Sequence, residues 1–356
     1  MSGKLYLRPT GFIFGDAAAE ARAQGAALPV AGGPVCCLGF EVIEGAHGTA
    51  KRRFASARDI GASTEADIRR LLGNLTAPRP DIAGVSLGQT RLMGIVNVTP
   101  DSFSDGGDFA DADMAAAHAR RLVAEGAAFI DIGAESTRPG AEAVGEAEEL
   151  RRIRPVLERL RGLPAAISVD TRKASVMRAA IEGGAGLIND VSALSHDAGA
   201  LRAVAALRCP VVLMHAQGDP RTMQDDPTYA DVLLEVYDAL EARIEAAESA
   251  GLARQLLVAD PGIGFGKTIK HNLDLLACIG LFHTLGVPIL LGVSRKRFIG
   301  VMTGEAQPKN RAFGSIGAAL AAASQAVQIL RVHDVGETRQ ALDSWSASLM
   351  GRWPPQ

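Results

Sequence analysis

Residues Met93 to Gly107 read MGIVNVTPDSFSDGG, and the rest of the chain is organised around this stretch. It begins inside an apolar run, Leu92–Val96, which has the length of a buried parallel strand. Asn97 ends the run with an amide, and Pro100 with its turn-forming neighbours cannot continue a strand. The polar segment that follows contains one aromatic residue, Phe103, before a glycine pair. The pattern indicates a strand that leads either into a mobile active-site loop or into a surface loop anchored by Phe103.

Composition narrows the class of protein. The chain has 356 residues, enough for one barrel with an extension. With 47% hydrophobic but only 4% aromatic residues, the core must consist mainly of Ala, Val, Ile and Leu. A net charge of -3 with mixed signs gives no general surface for nucleic acid. The four cysteines have neither disulfide nor metal-site spacing, which favours a cytoplasmic protein. The sequence shows no export signal and no apolar run of about 18 residues, so export and membrane spanning are not expected.

Apolar strand candidates alternate with helical patterns from Arg91 onward. The strands are predicted at 92–96, 127–132, 165–170, 186–189, 210–214, 255–259, 287–292 and 328–332. The helices are predicted at 113–125, 146–161, 172–182, 197–207, 229–250, 270–284, 309–325 and 335–349. Eight strand–helix pairs match a (β/α)₈ TIM barrel of the α/β class in number and length, spanning residues 91–356. An open, doubly wound sheet is the alternative.

Residues 1–90 are predicted to form a small N-terminal extension. A strand is expected at 35–43, and Thr64 with Asp67 resembles the start of a capped helix. Residues 77–80, with two prolines, are expected to be a stiff linker. The segment contains no phosphate-binding or metal-ligand motif. We therefore expect a structural appendage or a dimer contact, and not a separate catalytic domain.

Polar residues end the apolar strands from Arg91 onward. They are Asn97, Asp131, Asp170, Asn189 with Asp190, His215, Asp260, Ser294 to Lys296, and Arg331 with His333. In a barrel these positions meet at one rim, where active sites are built. Buried carboxylates need a balancing partner. That partner could be a metal, a cationic ligand, the nearby lysine and arginine, or a heterocycle rich in N–H groups.

The stretch Met93–Gly107 resembles the opening signature of the dihydropteroate synthase family. Later segments, among them Glu135–Gly140 (ESTRPG) and Ser294–Lys296 (SRK), follow in the family's order, so that the resemblance covers about Arg91 to Ser348. It implies a pterin-binding TIM barrel. The implied reaction joins 6-hydroxymethyl-7,8-dihydropterin pyrophosphate to p-aminobenzoate, giving 7,8-dihydropteroate and pyrophosphate. Mg²⁺ as cofactor and a homodimer formed through the last helices are further implications.

The resemblance also implies roles for individual residues. The pterin would be bound by Asp170, Asn189, Met214, Asp260, Phe265 and Lys296. The pyrophosphate would be bound by Asn97, Thr137, Arg138, Arg331 and His333, with Asn97 also on Mg²⁺. The p-aminobenzoate would be bound by Phe103, Thr137, Pro139, Ser294 and Arg295. Catalytic groups would be Asp101, Phe103, Asp105, Lys296, Arg331 and His333.

Two departures from the family pattern are visible. The family has Gly-Gly before Glu135, whereas this chain has Gly133-Ala134, which would be strained if a positive φ were needed there. The family usually has Met after His215, and Ala216 predicts looser packing under the loop. These departures keep a non-catalytic pterin-binding paralogue open as an alternative.

Two other functions fit the sequence less well than the synthase. A methyltetrahydrofolate methyltransferase serving a corrinoid protein would need neither Phe103 nor the pyrophosphate corner. The glycine-rich Gly262–Lys267 lacks the spacing of a nucleotide-binding loop, so ATP binding is not expected.

Overall fold

The computed structural model describes residues 3–98, 107–135, 144–218 and 222–351. The N-terminal extension, residues 3–90, holds an antiparallel sheet packed on helices. Its elements are β1 (Leu5–Ile13), α1 (Gly15–Ala23), β2 (Leu28–Pro29), β3 (Cys36–Glu44), β4 (Lys51–Ser56), α2 (Ala57–Gly61) and α3 (Ala66–Thr76). β3 pairs with the other three strands, and Leu7, Phe40 and Leu71 belong to the core between the sheet and α2 and α3. The strand predicted at 35–43 is confirmed as β3.

One local prediction for the extension needs correction. α3 has Glu65 as its N-cap residue with no side-chain capping bond, so the capping role predicted for Thr64 is wrong. The segment at 77–80, predicted to be a stiff linker, is also bound to the barrel. The buried guanidinium of Arg79 donates to the backbone oxygens of Asn74 and His283, both at 2.8 Å, which fixes the segment to the barrel.

Eight parallel strands form the barrel. They are β5 (Arg91–Asn97), β6 (Ala127–Gly133), β7 (Ala166–Asp170), β8 (Leu187–Asp190), β9 (Val211–Met214), β10 (Leu257–Asp260), β11 (Leu290–Gly292) and β12 (Ile329–Val332). Their order is β10-β9-β8-β7-β6-β5-β12-β11, and a parallel bridge between Ala259 and Ile289 joins the two ends. The sheet is therefore closed. The predicted (β/α)₈ barrel is confirmed, and each of its eight strands was predicted.

Helices surround the barrel and bury its outer face. They are α4 (Gly107–Ala124), α5 (Glu146–Arg159), α6 (Ala174–Glu182), α7 (Ala200–Leu207), α8 (Val232–Ser249), α9 (Ile269–Ala277), α10 (Arg297–Thr303), α11 (Ala312–Ala323) and α12 (Val335–Met350). The helix predicted at 270–284 is two elements, α9 and a 3₁₀ helix at Ile279–Leu285, and α10 was not predicted. In the described ranges, no helix has both the length and the apolar character needed to cross a membrane.

The lower end of the barrel is closed by the end of the extension. Ile82 and Leu87 are buried against a cluster from the first halves of the strands, which includes Met93, Phe129 and Val258. A bridge between Ile82 and Val85 holds the closing segment in shape. This plug leaves the opposite rim, where the strands end, as the open face.

Candidate active site

Strand register places the predicted polar residues at one level of the rim. Asn97 pairs with Gly133, Gly133 with Asp170, and Asp170 with Asn189. A Cβ built on Gly133 would lie 3.5 Å from Asn97 Oδ1 and 3.7 Å from Asp170 Cβ, so glycine leaves these two side chains close together. The structure thus brings together residues from the first, third and fourth barrel strands.

Arg331 links this group to the last strand. Its Nε donates to Asp131 Oδ2 at 2.6 Å, and Nη2 donates to Asp170 Oδ2 at 3.2 Å. Asp131 also accepts from Asn189 Nδ2 at 3.0 Å. Burial and the neighbouring Asp131 raise the pKa of Asp170, whereas Arg331 opposes this shift. Asp131 therefore orients both Arg331 and Asn189, a role that its place at a strand end did not reveal.

The opposite side of the rim pairs a carboxylate with a lysine. Asp260 is buried and accepts from the backbone N of Gly262 at 2.8 Å. Burial raises its pKa, and Lys296 opposes that shift. The Lys296 ammonium donates to the Ile263 carbonyl and lies 4.8 Å from the centroid of the Phe265 ring. Burial lowers the pKa of Lys296 to about 8, partly offset by Asp260.

Lys267 is a further buried cation that sequence reasoning missed. It donates to His215 Nδ1 at 2.9 Å, to the Phe265 carbonyl at 3.0 Å and to the His215 carbonyl at 3.3 Å. Burial lowers its pKa to about 7 and, together with the lysine, lowers that of His215 to about 3. The imidazole is therefore neutral and accepts. Lys267 ties the loop after β10 to the end of β9, where Met214 is buried.

The residues after β11 and β12 meet each other. Ser294 Oγ lies 3.0 Å from His333 Nδ1 and accepts from the His333 backbone N at 3.2 Å. Arg295, predicted to contact the carboxylate side of p-aminobenzoate, forms a two-point ion pair with Asp334, with Nε 3.0 Å from Oδ2. Arg295 is thus held in place at the rim, with a positive φ of 59°.

Charged side chains surround the base of the second barrel loop. Glu135 accepts from the backbone N of Val144 at 3.2 Å, from Arg172 at 3.1 Å and from Lys173 at 2.8 Å. Lys173 also reaches the buried Glu149 at 2.5 Å. Burial works to raise the pKa of Glu135, but the two cations lower it below its usual value. Glu135 therefore ties together the two ends of the loop.

Six predicted site residues lie outside the described residues. They are Asp101, Phe103, Asp105, Thr137, Arg138 and Pro139. The strain considered for Ala134 is not found, because its φ is not positive. Ala216 lines a cavity of about 510 Å³ together with Met214, Phe265 and Met223. Looser packing caused by Ala216 stays a prediction.

Comparison with known proteins identifies the family. A family model described as pterin binding enzyme matches residues 93–333. The dihydropteroate synthase of Escherichia coli K12 is 45% identical over 269 residues, which is 75% of this chain and 95% of that protein.

Solved structures agree with this match. A Xanthomonas albilineans dihydropteroate synthase with 4-aminobenzoic acid is 53% identical, with a TM-score of 0.72 and coverage of 76% of this chain and 98% of that one. The same enzyme in complex with 7,8-dihydropteroate is 50% identical, with a TM-score of 0.69 and the same coverage. With the fold and rim described above, these matches show that the chain belongs to the dihydropteroate synthase family of pterin-binding enzymes.

Proposed function

We propose that this chain condenses 6-hydroxymethyl-7,8-dihydropterin pyrophosphate with p-aminobenzoate to give 7,8-dihydropteroate and pyrophosphate. The observation that carries the proposal is the rim of the barrel. Asp170, Asn189 and Asp260 present buried acceptors there, and Lys296 and Arg331 supply cations. Relatives at 45–53% identity carry the synthase name.

The acceptor set suits a pterin ring. One edge of a pterin presents several N–H donors, which match two carboxylates and an amide oxygen. Lys296, 4.8 Å from the Phe265 ring, would donate to an acceptor on the ring from its other side. Phe265 and the thioether of Met214 would form the two walls of the pterin site. The raised pKa of Asp260 is compatible with this role, because hydrogen bonds from the ring would favour its charged form.

The leaving group would bind beside the first and last strands. His333 is fixed by Ser294, and Arg331 is fixed by Asp131 and Asp170. These contacts set the donors in place before the pyrophosphate arrives, so little reorganisation is needed in the reaction. The arginine N–H groups that do not bind the two carboxylates would be directed to phosphate oxygens.

Asn97 fits the single protein ligand that a Mg²⁺–pyrophosphate complex requires. Mg²⁺ in such sites takes most of its ligands from phosphate and water oxygens. Among the described residues, no cluster of three His, Cys, Asp or Glu could hold a metal ion. When bound there, Mg²⁺ would neutralise charge on the departing pyrophosphate.

The chemistry requires no protein nucleophile. The amine nitrogen of p-aminobenzoate forms a bond to the pterin methylene carbon as the carbon–oxygen bond to pyrophosphate breaks. The electron pair of that bond leaves with pyrophosphate, and the amine releases one proton. The ionised Asp260 would favour positive charge developing on the electron-rich ring. Asp101, Phe103 and Asp105 would contribute from the first loop, and Thr137, Arg138 and Pro139 from the second.

Pyrophosphate release tests the proposal and separates it from the alternatives. We expect release from the pterin substrate that depends on p-aminobenzoate and yields dihydropteroate. A non-catalytic paralogue would bind the pterin without releasing pyrophosphate, and a methyltransferase would show no dependence on p-aminobenzoate. Asp260→Asn should lower kcat/KM for the pterin substrate about 10- to 100-fold, since a hydrogen bond to a charged group contributes about 1.5–3 kcal/mol. Asp274→Asn is the matched control, because the Asp274 side chain is 41% exposed and pairs with Lys270 on the surface of α9. Equal activity of the two variants would contradict the pterin site.

We also propose a homodimer formed through the last helices. Phe313, on α11, is 88% exposed, and Val301 and Met302, on the neighbouring α10, are about half exposed. Such an apolar patch favours contact with a second copy. Phe313→Glu should give monomers by light scattering, whereas Phe54→Glu, at another exposed phenylalanine, should not. An unchanged mass for Phe313→Glu would refute this interface.

A cytoplasmic location is proposed on the state of the thiols. The four cysteines are free, including the adjacent Cys36 and Cys37. Free thiols are typical of a reducing compartment. Fractionation of the native host should place the protein with cytoplasmic markers, and recovery with exported proteins would contradict the proposal.

A further inference from the structure

The walls of the proposed ring site are supported by the segment that precedes α8. Tyr229 donates its hydroxyl to the Gly266 carbonyl at 2.9 Å, and Gln224 Nε2 donates to the Gly264 carbonyl. The Tyr229 ring also lies 6.2 Å from that of His215, the residue after Met214. This segment therefore contacts both loops that carry the walls.

The N-terminal extension contacts the end of the same segment. Gly48, in the turn between β3 and β4, lies next to Ala230, since a Cβ built on the glycine would be 3.5 Å from the alanine Cβ. Arg52 Nη2 on β4 lies 2.8 Å from Asp231 Oδ2. The other oxygen of Asp231 caps α8 by accepting from the backbone N of Leu233 and Leu234. One carboxylate thus joins the extension to the helix start.

The β3–β4 turn is itself held firmly on α8. His47 Nε2 lies 2.8 Å from Asp238 Oδ2, which also accepts from the Tyr6 hydroxyl at 2.9 Å. Lys4 donates to Asp238 at 2.6 Å and also pairs with Glu241. Since Asp231, Asp238 and Glu241 are on one helix, the extension is anchored along its length and can resist movement at its start.

We propose that the N-terminal extension is a brace that positions the walls of the pterin site through Arg52, Asp231 and Tyr229. Arg52 touches neither substrate, so it is a positioning residue. The extension lies outside the matched family region, residues 93–333, so this support is an addition to the shared barrel. The inference rests on the proposed function, because the walls are those of the pterin site.

The test compares two neighbouring arginines in the full-length protein. Arg52→Ala removes the bond to Asp231, while Glu41 keeps its pairing with Arg8 at 2.7 Å. Arg53→Ala is the matched control, because Arg53 pairs only within the extension, with Glu44 at 3.6 Å, among described residues. We expect Arg52→Ala to raise KM for the pterin substrate about two- to fivefold, the effect of losing a part-exposed ion pair. kcat and the KM for p-aminobenzoate should stay within error, and Arg53→Ala should match wild type.

A second variant tests the middle of the brace. Tyr229→Phe removes only the hydroxyl that donates to Gly266, and it should shift the pterin KM in the same direction. Equal pterin KM values for Arg52→Ala and Arg53→Ala would overturn the proposal. So would a parallel loss for both substrates, which would indicate general loosening.

Equilibrium titration with 7,8-dihydropteroate separates this inference from the proposed function. If the wild type releases no pyrophosphate, the proposed function fails. The brace is then judged on this titration alone, where Arg52→Ala should weaken binding two- to fivefold relative to Arg53→Ala. Equal affinities, or no binding by any form, would overturn the brace.

Discussion

Replacing Asp131 by Asn should destabilise the barrel rim and impair the active site together. Asp131 is fully buried and accepts from two donors, Arg331 Nε at 2.6 Å and Asn189 Nδ2 at 3.0 Å. Both donors reach the same oxygen, Oδ2, whereas Oδ1 has no hydrogen-bond partner among the described residues. An amide whose oxygen takes the Oδ2 position can still accept from both donors, so the substitution mainly removes charge. The charge that balances Arg331 would be lost, leaving Asp170 at 3.2 Å as its other carboxylate partner in the described structure.

The size of the effect follows from burial. Removing one partner of a buried ion pair costs about 3–5 kcal/mol. Arg331 keeps Asp170, and its side chain is 22% exposed, so we expect about 2–3 kcal/mol. In a chain of this size that corresponds to a fall of about 3–4 °C in melting temperature. Weaker anchoring of Arg331 by a neutral amide should lower kcat/KM about 10- to 100-fold, the range for hydrogen bonds to charged groups.

Thermal denaturation by scanning fluorimetry and steady-state pyrophosphate release measure the two effects. Asp343→Asn is the control, since the Asp343 side chain is 46% exposed and its ion pair with Arg339 should contribute about 0–1 kcal/mol. The reasoning is refuted if Asp131→Asn melts within about 1 °C of wild type and retains wild-type kcat/KM. A variant with wild-type melting temperature but low kcat/KM would support the role of Asp131 in the active site and contradict its expected contribution to stability.

Other predictions concern Lys296, Asn97 and Glu135. In wild type, kcat/KM for the pterin substrate should fall as pH rises through about 8, where the Lys296 ammonium loses its proton. Lys296→Arg should give a flat pH profile. A parallel decline in both proteins would contradict this prediction. Asn97→Ala should raise the Mg²⁺ concentration for half-maximal rate about tenfold, the loss expected for one ligand of about 1.4 kcal/mol, with an unchanged melting temperature; an identical Mg²⁺ titration would exclude the ligand. Glu135→Gln should raise the KM for p-aminobenzoate. It should also remove a pH-dependent part of the stability, because the pKa of Glu135 is lowered in the folded state. Wild type has this stabilisation above pH 4.5 and loses it on acidification. If Glu135→Gln had the wild-type KM and the wild-type acid unfolding curve, Glu135 would not hold the second loop as described.

The barrel was predictable because its signals are local. Each strand is an apolar run that ends in a polar residue, and both features lie within a few neighbouring positions. Asn97, Asp170 and Asp260 could be placed at one rim once the topology was assumed, because parallel strands end at the same face. The register of the structure agrees with that inference.

The missed features depend on partners far apart in the chain. Lys267 follows a glycine-rich segment that only suggested a nucleotide loop, and its role comes from His215, 52 residues earlier. Asp131 is paired with Arg331, 200 residues away. A lysine soon after a buried strand-end aspartate was the available signal for Lys267. Nothing local could show which carbonyls it would meet.

Element boundaries failed for a different reason. α10 has seven residues, including β-branched Ile299, Val301 and Thr303, so its intrinsic helical signal is weak. This short helix is stabilised by packing on α11. The sequence of the segment alone does not show that contact. Glu65, not Thr64, precedes α3 because the helix position is set by burial of Ile68 and Leu71 and not by the cap.

The plug formed by Ile82 and Leu87 limits how the gene can be shortened. A fragment beginning at residue 93, where the family match starts, would remove both side chains and uncover Phe129 and Val258 at the base of the barrel. Exposed apolar surface of that kind promotes aggregation during expression. A catalytic fragment should therefore begin before Arg79, so that the floor of the barrel is retained even when the rest of the extension is cut away.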